Sequence, residues 1–255
     1  MRQSQYLGIA FVNPMKRYRL GCSGWSYADW VGKFYPSDCT QANMLQEYCS
    51  HFDTVELNMS FYRLPFKQMV KSWKDRTPDK FIFCPKLSRQ ITHLKRLKDS
   101  EELLELFLER MSLLDEKLGP ILIQLPPGMK PDVDRLEGFL RILPKEQRFA
   151  IEFRRREWFS KKIRSLLERY GVATCLIDSP AMTVDDEVTA SFAYARWHGK
   201  SAWYAHDYSK KEIDKWARIL VNLDVDEVFG YWNNDVDAFA PKNCLYMMQR
   251  LKEMS

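Results

Sequence analysis

Three pairs of residues, each two apart, carry the chemistry available to this sequence: Glu56 with Asn58, Glu152 with Arg154, and Arg196 with His198. In an extended chain, residues i and i+2 face the same way, so each pair points to one side of its strand. Their neighbours Val55, Leu57, Ile151, Phe153, Ala195 and Trp197 are apolar and suit the opposite, covered face. A carboxylate held near the reacting atoms can take or return a proton, and a guanidinium matches phosphate with two parallel hydrogen bonds. Glu56, Glu152 and His198 are therefore the candidate catalytic groups, with Lys86, Arg154 and Arg196 as candidate anion clamps. Burying such charges singly costs several kcal/mol each, so they must pair, hold an ion or meet a ligand.

The elements that would position these residues are short apolar runs. Eight of them read as strands: 18–23, 53–58, 80–86, 120–125, 148–154, 172–178, 192–198 and 227–233. Helical patterns fall between most of them, at 41–49, 66–75, 101–117, 133–143, 161–170, 210–222 and, after the last strand, 243–252. The connection 179–191 between strands six and seven lacks a helical pattern and reads as irregular. Strands alternating with helices imply parallel pairing. Eight such units match a single (β/α)8 TIM-type barrel, an α/β fold of about 250 residues. A doubly wound open sheet is the alternative, but its glycine-rich nucleotide fingerprint is missing.

In such a barrel the site forms at the C-terminal ends of the strands. The residues there are Ser23, Trp25 and Tyr27 after the first strand, and Glu56 and Asn58, followed by Phe61 and Tyr62, after the second. Next come Lys86 with His93 beyond it, Gln124, Glu152 with Arg154, Asp178, Arg196 with His198, and Asn233, Asn234 and Asp235. Trp25 and Tyr27 are the aromatics best placed to stack on a base or sugar, while Trp30 and Phe34 suit a satellite core. His198, beside Arg196, should stay neutral. No metal site is predicted: a divalent ion would need three or four of Glu56, Glu152, Asp178 and His198 to converge.

The 255 residues are 45% hydrophobic and carry a net charge of +5, which suits an anionic partner without demanding one. Six scattered cysteines form no CxxC pair, and Cys22, Cys84 and Cys175 lie in apolar runs; this reads as a reducing, cytoplasmic setting. The apolar run 6–12 is too short to span a membrane and lacks a cleavage signature. Residues 1–17 read as a weakly ordered N-terminal extension and 18–255 as one domain.

The runs GCSGWSYADW, TVELNMSFYRLP, ITH, LGPILIQLPP, IEFRRREW, RWHG and YWNND resemble the YecE-like family, domain of unknown function 72. The likeness runs from about Arg19 to the C-terminus and implies a TIM-type barrel, similar to sugar isomerase and abasic-site endonuclease barrels. It implies no established activity. Its motif positions include Ser23, Trp25, Tyr27, Glu56, Asn58, Tyr62, Lys86, His93, Gln124, Glu152, Arg154, Arg196, His198, Asn233, Asn234 and Asp235.

The expected function is binding or processing of a phosphate-bearing ligand, a nucleotide or nucleic acid, by acid/base chemistry of hydrolase or isomerase type with no cofactor. A carbohydrate-active barrel is one alternative. A non-catalytic scaffold, in which Glu56 and Glu152 merely pair with Lys86, Arg154 and Arg196, is another.

Overall fold

Strands covered on both faces need side chains that are apolar or internally paired throughout, and the short runs supply them. Every residue of β2 (Thr54–Leu57), β4 (Ile121–Gln124), β5 (Phe149–Glu152), β6 (Ala173–Asp178) and β8 (Phe192–Trp197) is buried. The remaining strands are β1 (Arg17–Cys22), β3 (Ile82–Pro85), the two-residue β7 (Thr183–Val184) and β9 (Glu227–Trp232). Helices α1 (Met44–Cys49), α2 (Met59–Tyr62), α3 (Lys67–Asp75), α4 (Glu101–Met111), α5 (Val133–Arg141), α6 (Lys161–Tyr170), α7 (Lys210–Asn222) and α8 (Phe239–Met254) alternate with them. The computed structural model describes residues 16–254. The expected extension 1–17 lies outside this range except for its last two residues, and Arg17 already opens β1.

Local signals account for the helix ends. Ser209 caps α7 through a reciprocal box with Glu212, and Gly171 closes α6 in the left-handed conformation at φ 64°. The helix expected over 101–117 ends at Met111; a tighter turn, Ser112–Lys117, follows, with Asp115 at φ 48°. The irregular connection after β6 holds β7, which pairs antiparallel with the end of β6.

All eight expected strands are present, but their ladders do not form one continuous ring. Six parallel strands make a curled sheet in the order β1-β9-β8-β6-β5-β4, and β2 and β3 form a separate parallel pair. Between β3 and β4 only two bridges occur, Phe83 with Leu118 and Lys86 with Leu122, so the offset slips by one residue. Pro85 and Pro120 lie in this gap, and neither has an N–H to give a ladder.

Between β1 and β2 a side chain replaces the ladder. The Tyr48 hydroxyl of α1 accepts from the Cys22 N–H at 2.7 Å and donates to the Thr54 carbonyl at 2.9 Å. The approach excludes a side chain on Gly21, where a Cβ would lie 2.3 Å from the Thr54 oxygen.

Two apolar clusters result. The larger lies between strands and helices; the smaller is enclosed by the strands and holds Cys84, Leu122, Ala150, Cys175, Phe192, Tyr194, Phe229 and Tyr231. Alternation then places Lys86, Gln124, Glu152 and Arg196 on the same enclosed side, one step nearer the strand C-termini. The charged residues thus sit above an apolar floor.

Tyr48→Phe leaves the Cys22 N–H and Thr54 carbonyl buried and unpaired, which costs about 2–4 kcal/mol. Urea denaturation should show that loss, and Gly21→Ala should cost more. An unchanged midpoint for Tyr48→Phe would remove the hydroxyl from this seam.

Candidate functional site

Arg196, at the end of β8, is 1% exposed and joins two fully buried carboxylates from opposite parts of the fold. Its Nη2 donates to Glu56 Oε1 and its Nη1 to Glu152 Oε2, both at 2.6 Å. Glu56 also accepts from Ser23 Oγ and from the Tyr194 hydroxyl, each at 2.8 Å. Glu152 accepts from Gln124 Nε2 at 2.9 Å and is paired with Arg154 Nε. Both carboxylates therefore have partners on both oxygens, which is what allows two charges to stay buried. Burial by itself would raise the Glu152 pKa, but Arg154 and Arg196 outweigh it and hold the group well below the usual carboxylate range. Such a carboxylate is a weak base.

His198 lies beside this bridge. Its Nδ1 is 2.9 Å from Asn233 Nδ2, and its Nε2 lies 3.4 Å from both Glu152 Oε2 and Arg196 Nη1. Burial, reinforced by Arg196 and Arg154 against the opposing pull of Glu152, lowers its pKa to about 3, so the ring is neutral at physiological pH. Lys86 extends inward from the end of β3, 7% exposed, and its amine rests 4.1 Å from the Phe61 ring centre. Burial, then Arg196, lowers its pKa to about 7. His93, on a single wide turn (Gln90–Leu94), packs edge-on against the other side of this neighbourhood, 4.9 Å from Phe61. Burial and Lys86 lower its pKa to about 4.

Two cavities adjoin the network. One of about 520 Å³ is lined by Gln124, Arg154, Ser179, Met182, Trp203 and Tyr204, among others. The other, about 210 Å³, is lined by Ser23, Trp25, Tyr27, Glu56, Asn58 and Met59, among others. Arg154 Cζ sits 4.9 Å from the Trp203 ring centre and its Nη2 is 3.4 Å from His198 Nε2. Its Nη1 makes no hydrogen bond among the described residues.

Ser23, Glu56, Lys86, Gln124, Glu152, Arg154, Arg196, His198 and Asn233 thus gather as the strand pattern predicts. Others do not. Arg196, expected to clamp a ligand anion, has both terminal nitrogens on carboxylates instead. Tyr27 stacks on Trp30 at 4.5 Å and donates its hydroxyl to the Ser23 carbonyl; Trp25 packs edge-on against Trp73. Tyr62 is 70% exposed on α2. Asn234 turns away, donating to Asn243 Oδ1 and the His206 carbonyl. Asp235 is half-buried, and burial raises it to about 7. Asp178 accepts from Thr183 Oγ1 and Trp216 Nε1 on the outer side of β6, so it cannot share an ion with Glu152. No group of three or more His, Cys, Asp or Glu side chains able to hold a metal occurs among the described residues. No described helix is long and apolar enough to cross a membrane.

Sequence reasoning missed Tyr194, although it shares the parity of Arg196 and His198. It also missed Trp203 as a cavity wall, since only the folded loop, with Tyr204 at φ 64°, brings that ring to Arg154.

These features define an α/β protein with a curled parallel sheet and a charged network at its strand C-termini. The chain belongs to the family described as "Protein of unknown function DUF72", whose model matches residues 19–255. It is 33% identical over 166 residues to the UPF0759 protein YecE of Escherichia coli K12, covering 63% of this chain and 58% of YecE. It is 26% identical to the UPF0759 protein YunF of Bacillus subtilis 168, covering 91% of this chain and 94% of YunF. The crystal structure of a DUF72 family protein from Thermotoga maritima MSB8 superposes with a TM-score of 0.83 at 27% identity, covering 92% of this chain and 99% of that one.

Two stability measurements probe the network. Arg196→Leu strands two buried carboxylates and should cost about 3–5 kcal/mol or prevent folding. Lys86 concerns pH: its folded pKa lies below that of the unfolded chain, so between about 7 and 10.5 the unfolded state holds more protons. Stability contributed by this site therefore rises with pH across that window, by up to roughly 1.4 kcal/mol per unit. The wild-type minus Lys86→Met difference, taken from urea midpoints at several pH values, should show this slope; a flat difference would mean that Lys86 is an ordinary solvated amine.

Proposed function

We propose that the strand C-terminal mouth binds a phosphate-bearing small molecule of nucleotide size, with Arg154 as the cation that meets the anion. The observation that carries this reading is the placement of Arg154 on the wall of the larger cavity, with Nη1 uncommitted. Gln124 and Ser179 line the same space, and Trp203 and Tyr204 offer rings for the organic part. At about 520 Å³ the volume falls within the range of small-molecule sites. In this reading Glu56 and Glu152 fix Arg196 rather than exchange protons with the ligand, and Arg196 supports the floor.

A glycoside-cleaving role is disfavoured by the same geometry. A nucleophile and an acid must face the sugar, whereas both carboxylates here are fully buried with Arg196 between them.

We also infer that β2 and β3 complete the six-stranded sheet as an eight-stranded barrel. The bridges of Phe83 and Lys86 to the β4 side, and the Tyr48 hydroxyl between β1 and β2, support that closure.

Titration calorimetry with nucleoside monophosphates and sugar phosphates should find a binder that Arg154→Ala weakens about tenfold or more. Trp203→Ala should weaken it as well, while inorganic phosphate should lose affinity only with Arg154→Ala. Binding that is indifferent to Arg154, or the absence of any phosphate-bearing binder, would overturn the reading.

A further inference from the structure

We propose that Lys86 is a nucleophile: its inward-facing, unpaired amine condenses with the aldehyde or ketone group of the bound molecule to form an imine. The phosphate part of this substrate class rests on the reading of Arg154 above; the carbonyl part stands separately.

The argument begins with how this chain treats another lysine that it buries. Lys117 is 4% exposed, and its ammonium donates to the Lys74 and Thr77 carbonyls at 2.7 and 2.8 Å and to Thr77 Oγ1 at 3.3 Å. Part-buried Lys16 likewise donates to carbonyl oxygens, among them that of Val221 at 2.7 Å. These are structural ammonium groups, with acceptors set out for their protons. Lys86 is nearly as buried as Lys117, yet among the described residues its amine has neither a hydrogen-bond acceptor nor a carboxylate in ion-pair contact; it rests against the Phe61 ring. A buried charge without acceptors is costly, and a buried neutral amine is not.

The setting fits a nucleophile. Cys84, two residues earlier on the same face, belongs to the enclosed apolar cluster, so Lys86 shares the enclosed side with it, one step nearer the strand C-termini. Its strand lies between β2, whose end lines the smaller cavity, and β4, whose Gln124 lines the larger. Burial, then Arg196 and more weakly Arg154, disfavour an ammonium there against the opposing pull of Glu152 and Glu56, and part of the population is unprotonated near neutrality. Lysines desolvated next to other cations are a known route to amine nucleophiles.

The chemistry balances without a further reactant. The nitrogen lone pair attacks the carbonyl carbon, and the carbonyl π pair moves to oxygen, which takes up a proton. The resulting carbinolamine then loses that oxygen as water, with both hydrogens coming from the amine by way of solvent. The product is one C=N bond and one water.

The test uses pyridoxal 5′-phosphate and pyridoxal as probes on the intact protein at pH 7.5, with borohydride reduction, proteolysis and mass spectrometry of the peptides. The expected result is an adduct on Lys86 at probe concentrations about tenfold below those that label exposed lysines. Lys86→Arg should lose that adduct. Arg154→Ala should reduce it for the phosphate-bearing probe and leave it unchanged for pyridoxal. Labelling confined to exposed lysines, with Lys86 recovered unmodified, overturns the proposal. Equal labelling of Lys86 by both probes in wild type and Arg154→Ala upholds the nucleophile and counts against the phosphate reading.

Discussion

The bidentate grip of Arg196 on Glu56 and Glu152 is the constraint around which the rest of the mouth is arranged. Two carboxylates and one guanidinium are sealed from water, so every oxygen must find a donor within the fold. Ser23, Tyr194, Gln124 and Arg154 are those donors, and with Arg196 they come from four strands, β1, β4, β5 and β8. The network therefore cross-links β2, β5 and β8, which are remote in sequence and which no shared ladder joins. It also divides the cations: Arg196 is consumed internally, Arg154 is shared between Glu152 and the larger cavity, and Lys86 feels Glu152 and Glu56 without a direct ion pair to either.

Much of this could be read from residue order because the signal is a period of two. Glu56, Glu152, Arg196 and His198 each follow an apolar residue of the opposite parity, and alternation alone sends them to a common side. The strands and the long amphipathic helices α6 and α7 were legible for the same reason, since periodicity and caps are local properties. What stayed hidden depends on contacts between distant segments. Whether Arg196 faces a ligand or two carboxylates is decided by side-chain reach, not by spacing. Asp178 has the right type but the wrong parity: Ile177 shares the register of Arg196, so Asp178 faces outward, where Trp216 and Thr183 bond it. Asn234 and Tyr27 were likewise taken up by neighbouring loops.

The ladder breaks were hidden for another reason. A sequence marks where strands occur, not which pairs share hydrogen bonds. Pro85 and Pro120 are visible as residues, yet their opposition across the β3–β4 gap exists only once the chain is folded.

The Tyr48 phenol has a consequence for which lengths of chain this fold accepts. One hydroxyl serves both the Cys22 amide and the Thr54 carbonyl, and Thr54 follows Tyr48 by only six residues. The turn from α1 into β2 thus acts as a fixed ruler: lengthening or shortening it would carry the oxygen off both partners at once. The aromatic stretch between β1 and α1 bears no such restriction. Insertions and deletions among relatives should therefore concentrate ahead of Met44 and spare the segment from Tyr48 to Thr54.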